Sequence, residues 1–230
     1  MSLHTLEVYN KAIEVDPNDF KIYLNKGAVL IGLGEYELAV NSYDKVIELN
    51  PTYSGAYSNK GVVLENLGKY ELALESYNKA VQLNPTDATY YINQGSLLGK
   101  LGKYELALKS HNKAIELDPN NPIAYSDKGR TLYSLDKYEL ALESYNKAIQ
   151  LDPIDTTNYI MQGSLLGKLG KYELALKSFN KAIELDPNNP TPHIDKGVTL
   201  FNWKKYNLAL ESFNKALARI LHEVRFKVRN

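Results

Sequence analysis

The chain has 230 residues, of which 44% are apolar and 23% are charged, and these proportions are typical of a folded protein in water. Its 27 basic and 27 acidic residues give a net charge of zero, so no overall field favours nucleic acid or an anionic membrane as a partner. Cysteine is absent, which excludes disulfides, thiol catalysis and zinc–thiolate sites.

The sequence repeats itself with a period of 34 residues. The clearest copy is GKYELALESYNKAVQLNP, which runs from Gly68 to Pro85. Close copies begin at Gly34, Gly102, Asp136 and Gly170, and a more divergent copy begins at Lys204. A fixed period in this range is typical of stacked supersecondary units. We therefore expect a single repeat array over residues 1–230.

The array begins with half a unit. Residues 3–17 align with residues 71–85, so we expect a half repeat over 3–19 that lacks its first helix. Six full units are then predicted, at 20–53, 54–87, 88–121, 122–155, 156–189 and 190–223.

Each full unit predicts two helices. In the unit 54–87, Tyr57, Gly61 and Leu64 lie at positions i, i+4 and i+7, on one face of a first helix. Gly68 is expected to end that helix in the left-handed conformation. A second helix then runs to Pro85, because the residue before a proline is pushed out of the helical region.

The next first helices have recognisable start signals. Asp87 is predicted to be an N-cap. Asn121-Pro122 and Asn189-Pro190 each predict a cap followed by proline at the first helical position.

A glycine recurs in the middle of each first helix, where it costs about 0.5–1 kcal/mol relative to alanine. These glycines are Gly27, Gly61, Gly95, Gly129, Gly163 and Gly197. We expect close packing against small residues of the second helix to offset that cost. Those small residues are Ala39, Ala73, Ala107, Ala141, Ala175 and Ala209.

The last unit is irregular, since Lys204 replaces the glycine of the turn and no proline ends the second helix. The apolar pattern predicts one long helix from about residue 207, with an extension to about residue 228. Neither end of the array has an obvious full capping helix, so its exposed apolar ends are a candidate interface for self-association.

The unit resembles the tetratricopeptide repeat (TPR). The marks of that family are an aromatic residue, a glycine four residues later, and then a tyrosine, an alanine, an aromatic residue, an alanine and a proline. Here they are Tyr57, Gly61, Tyr70, Ala73, Tyr77, Ala80 and Pro85. The resemblance covers residues 3–223 and implies an all-α solenoid, in which antiparallel helix pairs stack into a right-handed superhelix.

The chain departs from the family pattern at one position of the first helix. Lys60, Gln94 and Lys128 stand where leucine is usual. We expect the lysine stems to cover apolar surface there.

The resemblance implies that the first helices line a concave groove, in which members of the family bind peptides. On these helices, the stripe opposite the packing face varies most between copies. The predicted groove residues are Asn25, Asn59, Asn93, Asp127, Arg130, Tyr133, Met161, Asp195 and Phe201. Asparagines in related repeats hold a peptide backbone, and a carboxamide suits that task because it both donates and accepts.

One ligand of the family is not expected. Its chaperone-binding members clamp a terminal carboxylate, but Ala28, Val62 and Ser96 stand where that clamp needs its second asparagine. We therefore predict no binding of chaperone tails of that kind.

No catalytic, metal or cofactor pattern is readable. The four histidines, His4, His111, His193 and His222, lack ligand spacing, and the carboxylates occupy repeated surface positions. The first residues contain no apolar run long enough for a signal peptide, and no stretch could span a membrane, so the expected compartment is the cytoplasm.

The sequence thus predicts a non-enzymatic scaffold that binds an extended peptide or a helix of a protein partner, and neither nucleic acid nor a membrane. Two alternatives stay open. One is a structural array that self-associates into a homo-oligomer through its terminal helices. The other is a regulatory TPR region of a larger protein whose catalytic domain lies outside this chain.

Overall fold

The fold consists of helices that follow one another in pairs. The computed structural model describes residues 3–229, with side chains for 4–222. Over those residues there are thirteen helices and no strand. They are α1 (Leu3–Val15), α2 (Phe20–Gly32), α3 (Tyr36–Leu49), α4 (Ser54–Asn66), α5 (Tyr70–Leu83), α6 (Ala88–Lys100), α7 (Tyr104–Leu117), α8 (Pro122–Ser134), α9 (Tyr138–Leu151), α10 (Thr156–Lys168), α11 (Tyr172–Leu185), α12 (Thr191–Asn202) and α13 (Tyr206–Arg229).

The helices form two compact units. Unit 1 is Met1–Pro119 and unit 2 is Asn120–Asn230. In unit 1, α1 packs on α2, and the pairs α2–α3, α4–α5 and α6–α7 stack through α3 on α4 and α5 on α6. In unit 2, the pairs α8–α9, α10–α11 and α12–α13 stack through α9 on α10 and α11 on α12. Consecutive helix pairs confirm the all-α solenoid class that the sequence predicts.

The turn inside each pair depends on one left-handed residue. Gly34, Gly68, Gly102 and Gly170 have φ between 71° and 78° there. The turn is closed by backbone hydrogen bonds, for example from Lys69 N–H to the Leu64 carbonyl at 2.8 Å. Asp136 (φ 56°) and Lys204 (φ 61°) adopt the same conformation without being glycines.

The glycines in the middle of the first helices make room for an aromatic ring, and not for the alanines that we expected. A Cβ placed on Gly61 would lie 2.5 Å from Cε1 of Tyr77, and one on Gly163 would lie 2.7 Å from Cε1 of Phe179. The rings of Tyr77 and Phe179 are almost fully buried. Close approach of a whole ring therefore explains why a side chain is absent at this position.

The polar residues at positions 60 and 94 link one pair to the previous pair. Gln94 donates from Nε2 to Asn78 Oδ1 of α5 at 2.8 Å, and it accepts from Ser110 Oγ of α7 at 2.7 Å. Lys60 Nζ bonds Asp44 Oδ1 of α3 at 2.5 Å. The expectation that lysine stems only cover apolar surface is therefore incomplete, because the polar head groups bind side chains of the second helices.

The starts of the first helices match most of the predicted caps. The Asp87 carboxylate accepts from Thr89 N–H at 2.9 Å, and Asn121 caps α8 directly before Pro122. Before α12, the Asn189 side chain accepts from Thr191 N–H at 2.9 Å, and the helix begins at Thr191, one residue later than expected.

Candidate functional site

Six of the nine predicted groove residues occupy the same position on successive first helices. Asn25, Asn59, Asn93, Asp127, Met161 and Asp195 are separated by one period each, on α2, α4, α6, α8, α10 and α12. We call the surface around these positions the first-helix face, and we treat it separately in each unit.

The first-helix face of unit 1 carries the three asparagines. Asn25 is exposed, whereas Asn59 and Asn93 are half-buried. Asn93 donates from Nδ2 to Ser58 Oγ at 3.3 Å, so its amide turns to the residue beside Asn59. This contact uses one N–H of the Asn93 amide, and a carboxamide has donor and acceptor capacity beyond one hydrogen bond.

A cleft of about 350 Å³ lies beside Asn93 in unit 1. Its lining is Val62, Glu65, Asn66, Tyr77, Asn93, Ser96 and Lys100. This lining combines one aliphatic side chain with two amides, two hydroxyl groups and one ion pair, so the cleft can contact both apolar and polar groups of a ligand.

Charge in this cleft is organised around Glu65. Its carboxylate pairs with Lys100 Nζ at 2.5 Å and accepts from the Tyr77 hydroxyl at 3.1 Å. Burial, together with the adjacent Glu65 charge, raises the pKa of Tyr77 far above its ordinary value. Tyr77 therefore keeps its proton and holds the carboxylate in place as a hydrogen-bond donor.

The first-helix face of unit 2 is different in chemistry. Asp127 is buried and its Oδ1 binds Arg130 NH2 at 2.8 Å, one turn further along α8. Because the carboxylate of Asp127 is enclosed, the outward part of this ion pair is the Arg130 guanidinium, whose side chain is exposed.

Tyr133 belongs to a cluster of aromatic rings and a cation. Its ring centroid is 5.7 Å from that of Tyr138, and Lys168 Nζ lies 4.7 Å from the Tyr133 centroid and 4.5 Å from the Tyr138 centroid. Hydrogen bonding to Tyr138 is the main cause that raises the pKa of Lys168. The cluster thus presents a permanent positive charge against aromatic faces, an arrangement that cation–π attraction stabilises.

The remaining predicted residues lie on α10 and α12. Asp195 accepts from Ser164 Oγ at 2.9 Å, and burial raises the pKa of Asp195 while this hydrogen bond partly lowers it again. Met161 is exposed one turn before Ser164. Phe201 is 57% exposed, and its ring meets the edge of Tyr206 at 5.4 Å between centroids. Unit 2 therefore offers apolar and cationic groups where unit 1 offers amides.

The variable stripe of the first helices, which the sequence predicts to line the groove, also includes Ser58, Glu65, Lys100 and Lys168. Each of these contacts or lies beside one of the nine predicted residues. The contacts Asn93–Ser58, Lys100–Glu65 and Lys168–Tyr133 each join residues 35 positions apart, one period plus one residue. The extra residue beyond the period comes from how neighbouring first helices pack, so the period alone does not predict these contacts.

Two classes of site are not found in the part of the chain that the structure describes. No group of three or more histidine, cysteine or acidic side chains there could hold a metal ion. Among the described helices, none combines the length and the apolar character that a membrane span requires.

Comparison with known families agrees with the geometry. A TPR repeat profile matches residues 29–68, 95–136 and 163–202, which together exceed half of the chain. Two tetratricopeptide repeat profiles match 54–87 and 122–155, and 8–41 and 76–109. No curated protein sequence matches the chain at a significant level.

Solved structures show the same fold. The chain is similar to YrrB, described as a TPR protein with an unusual peptide-binding site, at 27% identity and a TM-score of 0.62 over 81% of this chain and 96% of that one. PilF of Pseudomonas aeruginosa matches at 21% identity and a TM-score of 0.76, over 92% and 97% of the two chains.

A chain of the APC/C hetero-tetramer Cut9-Hcn1 matches at 18% identity and a TM-score of 0.79, over 94% of this chain and 43% of that one. At these identities the last two comparisons show the fold alone. Repeat profiles along the chain and helix pairs at the same period agree: the chain belongs to the tetratricopeptide repeat family.

Proposed function

We propose that this protein is a non-enzymatic interaction scaffold whose first-helix faces bind an extended peptide or a helix of a protein partner. The observation that carries the proposal is the cleft of about 350 Å³ beside Asn93. Its amides can pair with both the donor and the acceptor of a peptide bond, and Val62 supplies apolar surface next to them.

The similarity to YrrB supports this proposal, because YrrB is described as having a peptide-binding site and is 27% identical. TPR proteins in general bind protein or peptide partners. A cytoplasmic location stays a prediction.

Unit 2 contributes a second contact surface of different chemistry. Phe201 and Met161 are exposed apolar side chains, and Arg130 and Lys168 are exposed cations on the same first-helix face. A partner segment that combines apolar anchors with carboxylates complements this surface. Each of these cations already has an acidic neighbour, Asp127 beside Arg130 and Asp136 beside Lys168, so a carboxylate of the partner would share them.

The test begins with a phage-displayed library of random peptides selected on the full chain, followed by titration of the selected peptide. We expect Asn59→Ala with Asn93→Ala to weaken a peptide held in unit 1 by roughly tenfold or more, since each hydrogen bond contributes about 0.5–1.5 kcal/mol. We expect Phe201→Ser to weaken a peptide held in unit 2, and the triple change to abolish binding.

Asn112→Ala is the matched control, because Asn112 is an exposed asparagine on the second helix α7. Arg130→Ala is a poorer probe, since it would leave the buried carboxylate of Asp127 without its cation. Selection of a peptide whose affinity the triple variant leaves unchanged, with helical content intact, would mean that the first-helix faces are not the binding surfaces.

A further inference from the structure

The last helix exposes a face that the other second helices bury. Val40 of α3 packs against the core of the pair α4–α5, and Leu142 of α9 packs against the core of the pair α10–α11. Leu210 occupies the same position of α13, and it is 61% exposed. Leu217, two turns further along the same face, is 53% exposed. This face is therefore a packing surface whose usual occupant, the first helix of a following pair, is missing among the described residues.

The first helix of the chain occupies the complementary place. Leu6 lies one period before Val40 and six periods before Leu210, so α1 and α13 present the same register of side chains. Leu6 packs against the core of the pair α2–α3, as Val40 packs against the core of the following pair. α1 is thus the second helix that packs on the N-terminal side of the pair α2–α3.

α1 is weakly held compared with the helices inside the array. It has 13 residues and no partner helix of its own pair among the described residues, and isolated helices of that length are marginal in water. Its other side is open, because Val8 is exposed and Val15 is 87% exposed. Only one side of α1 therefore contributes packing energy.

We propose that α13 of one copy binds the pair α2–α3 of a second copy, head to tail, in the place that α1 covers in its own chain. The occupant of the exposed α13 face is thus a second copy of this protein. α1 and α13 carry leucine at the same repeat position, so we expect Leu210 to make the contact with the α2–α3 core that Leu6 makes in its own chain. Such an interface is heterologous, so it adds copies in sequence unless a ring closes.

In the unaltered chain, α1 competes with α13 of a second copy for the same surface of the pair α2–α3. A tethered segment acts at an effective concentration in the millimolar range, about a thousandfold above a micromolar protein solution. The full chain should therefore be a monomer of 25.9 kDa at micromolar concentration, and weakening of α1 should release assembly. This inference does not depend on the proposed peptide binding.

The test uses three forms of the full chain and light scattering after size exclusion. Leu6→Asp puts a charge into the α1 contact and should produce multiples of the 25.9 kDa mass. Adding Leu210→Glu and Leu217→Glu to that variant should restore the monomer, because α13 can no longer bind. Mixing this triple variant with the unaltered chain should give a one-to-one complex and nothing larger, since each has a single usable end.

Circular dichroism checks that each variant keeps its helical content. If Leu6→Asp unfolds, Leu6→Ala replaces it, because it removes packing without burying a charge, and a synthetic peptide of residues 3–17 should dissolve its multimers. A helical Leu6 variant that stays at 25.9 kDa over the whole concentration range, or multimers that persist in the triple variant, would overturn the proposal.

Discussion

At the scale of single residues, the turn between the two helices of a pair needs one residue with positive φ, and different residue types occupy that position. Four turns use glycine, while Asp136 and Lys204 reach φ of 56° and 61° with a side chain present. Lys204 keeps the backbone hydrogen bonds of the glycine turns, with Lys205 N–H bound to the Leu200 carbonyl at 2.9 Å. The strain of a side chain in this conformation is about 1 kcal/mol or more, so these two turns are weak points of unit 2.

We predict that Lys204→Gly raises the free energy of unfolding by about 0.5–1 kcal/mol. The change relieves this strain, and the greater backbone entropy of glycine in the unfolded chain offsets only part of the gain. The reciprocal change Gly170→Lys should lower it by about 1 kcal/mol or more. Urea titration followed by circular dichroism measures both. Equal stability of all three proteins would contradict the assignment of strain to this turn.

At the scale of helices, the pair α12–α13 differs from earlier repeats in the side chain that donates a hydrogen bond to the proline carbonyl before the first helix. In earlier repeats a tyrosine of the first helix bonds a proline carbonyl, as Tyr57 does with Pro51 at 3.1 Å. His193 occupies that position in α12 and is buried, and Arg219 of α13 instead donates to the Pro187 carbonyl at 3.2 Å. Burial, and then the charges of Arg219, Lys196 and Lys215, lower the pKa of His193. A buried neutral histidine thus lies among three cations.

We predict that mild acid destabilises the packing of α12 against α13, because His193 becomes protonated. Since its pKa is lower when folded, the unfolded chain binds more protons in mild acid, and stability falls as pH drops below the ordinary histidine value of about 6.5. The free energy of unfolding of His193→Tyr relative to the unaltered chain should therefore rise from pH 7.5 to pH 5. Urea unfolding at the two pH values measures it, and a difference independent of pH would refute the role of His193.

At the scale of the whole molecule, the described helix pairs within each unit pack against the next pair along the chain, as is typical of repeat arrays. Local stability should then follow the number of covered sides. Helices inside a unit, such as α5 and α11, are packed on their own partner and on the next pair. α1 and the end of α13 lack one of these partners.

Hydrogen exchange followed by mass spectrometry should resolve this gradient. We expect the slowest exchange in α4, α5, α10 and α11, and the fastest in α1 and in the part of α13 from Leu217 to His222, because segments with little buried surface open locally. Leu6→Ala should accelerate exchange in α1 and leave α10 and α11 unchanged. Protection of α1 equal to that of α5 would mean that the array unfolds as one cooperative body.

The sequence by itself determined the family and the helix pairs, because both depend on local and periodic signals. Gly68 ends a helix and Asp87 starts the next, and each acts on neighbouring backbone groups only. The extent of the array as one domain and the binding role of the nine groove residues stay predictions.

Only the tertiary structure decided which side chains meet. It placed a tyrosine ring against Gly61, turned Asp127 inward against Arg130, and left Leu210 uncovered. The physical reason is that a period identifies equivalent positions, whereas contacts between pairs join residues offset from that period, by one residue in Lys100–Glu65. That offset comes from how the helices pack, and it determines whether a polar residue is exposed to a partner or used within the fold.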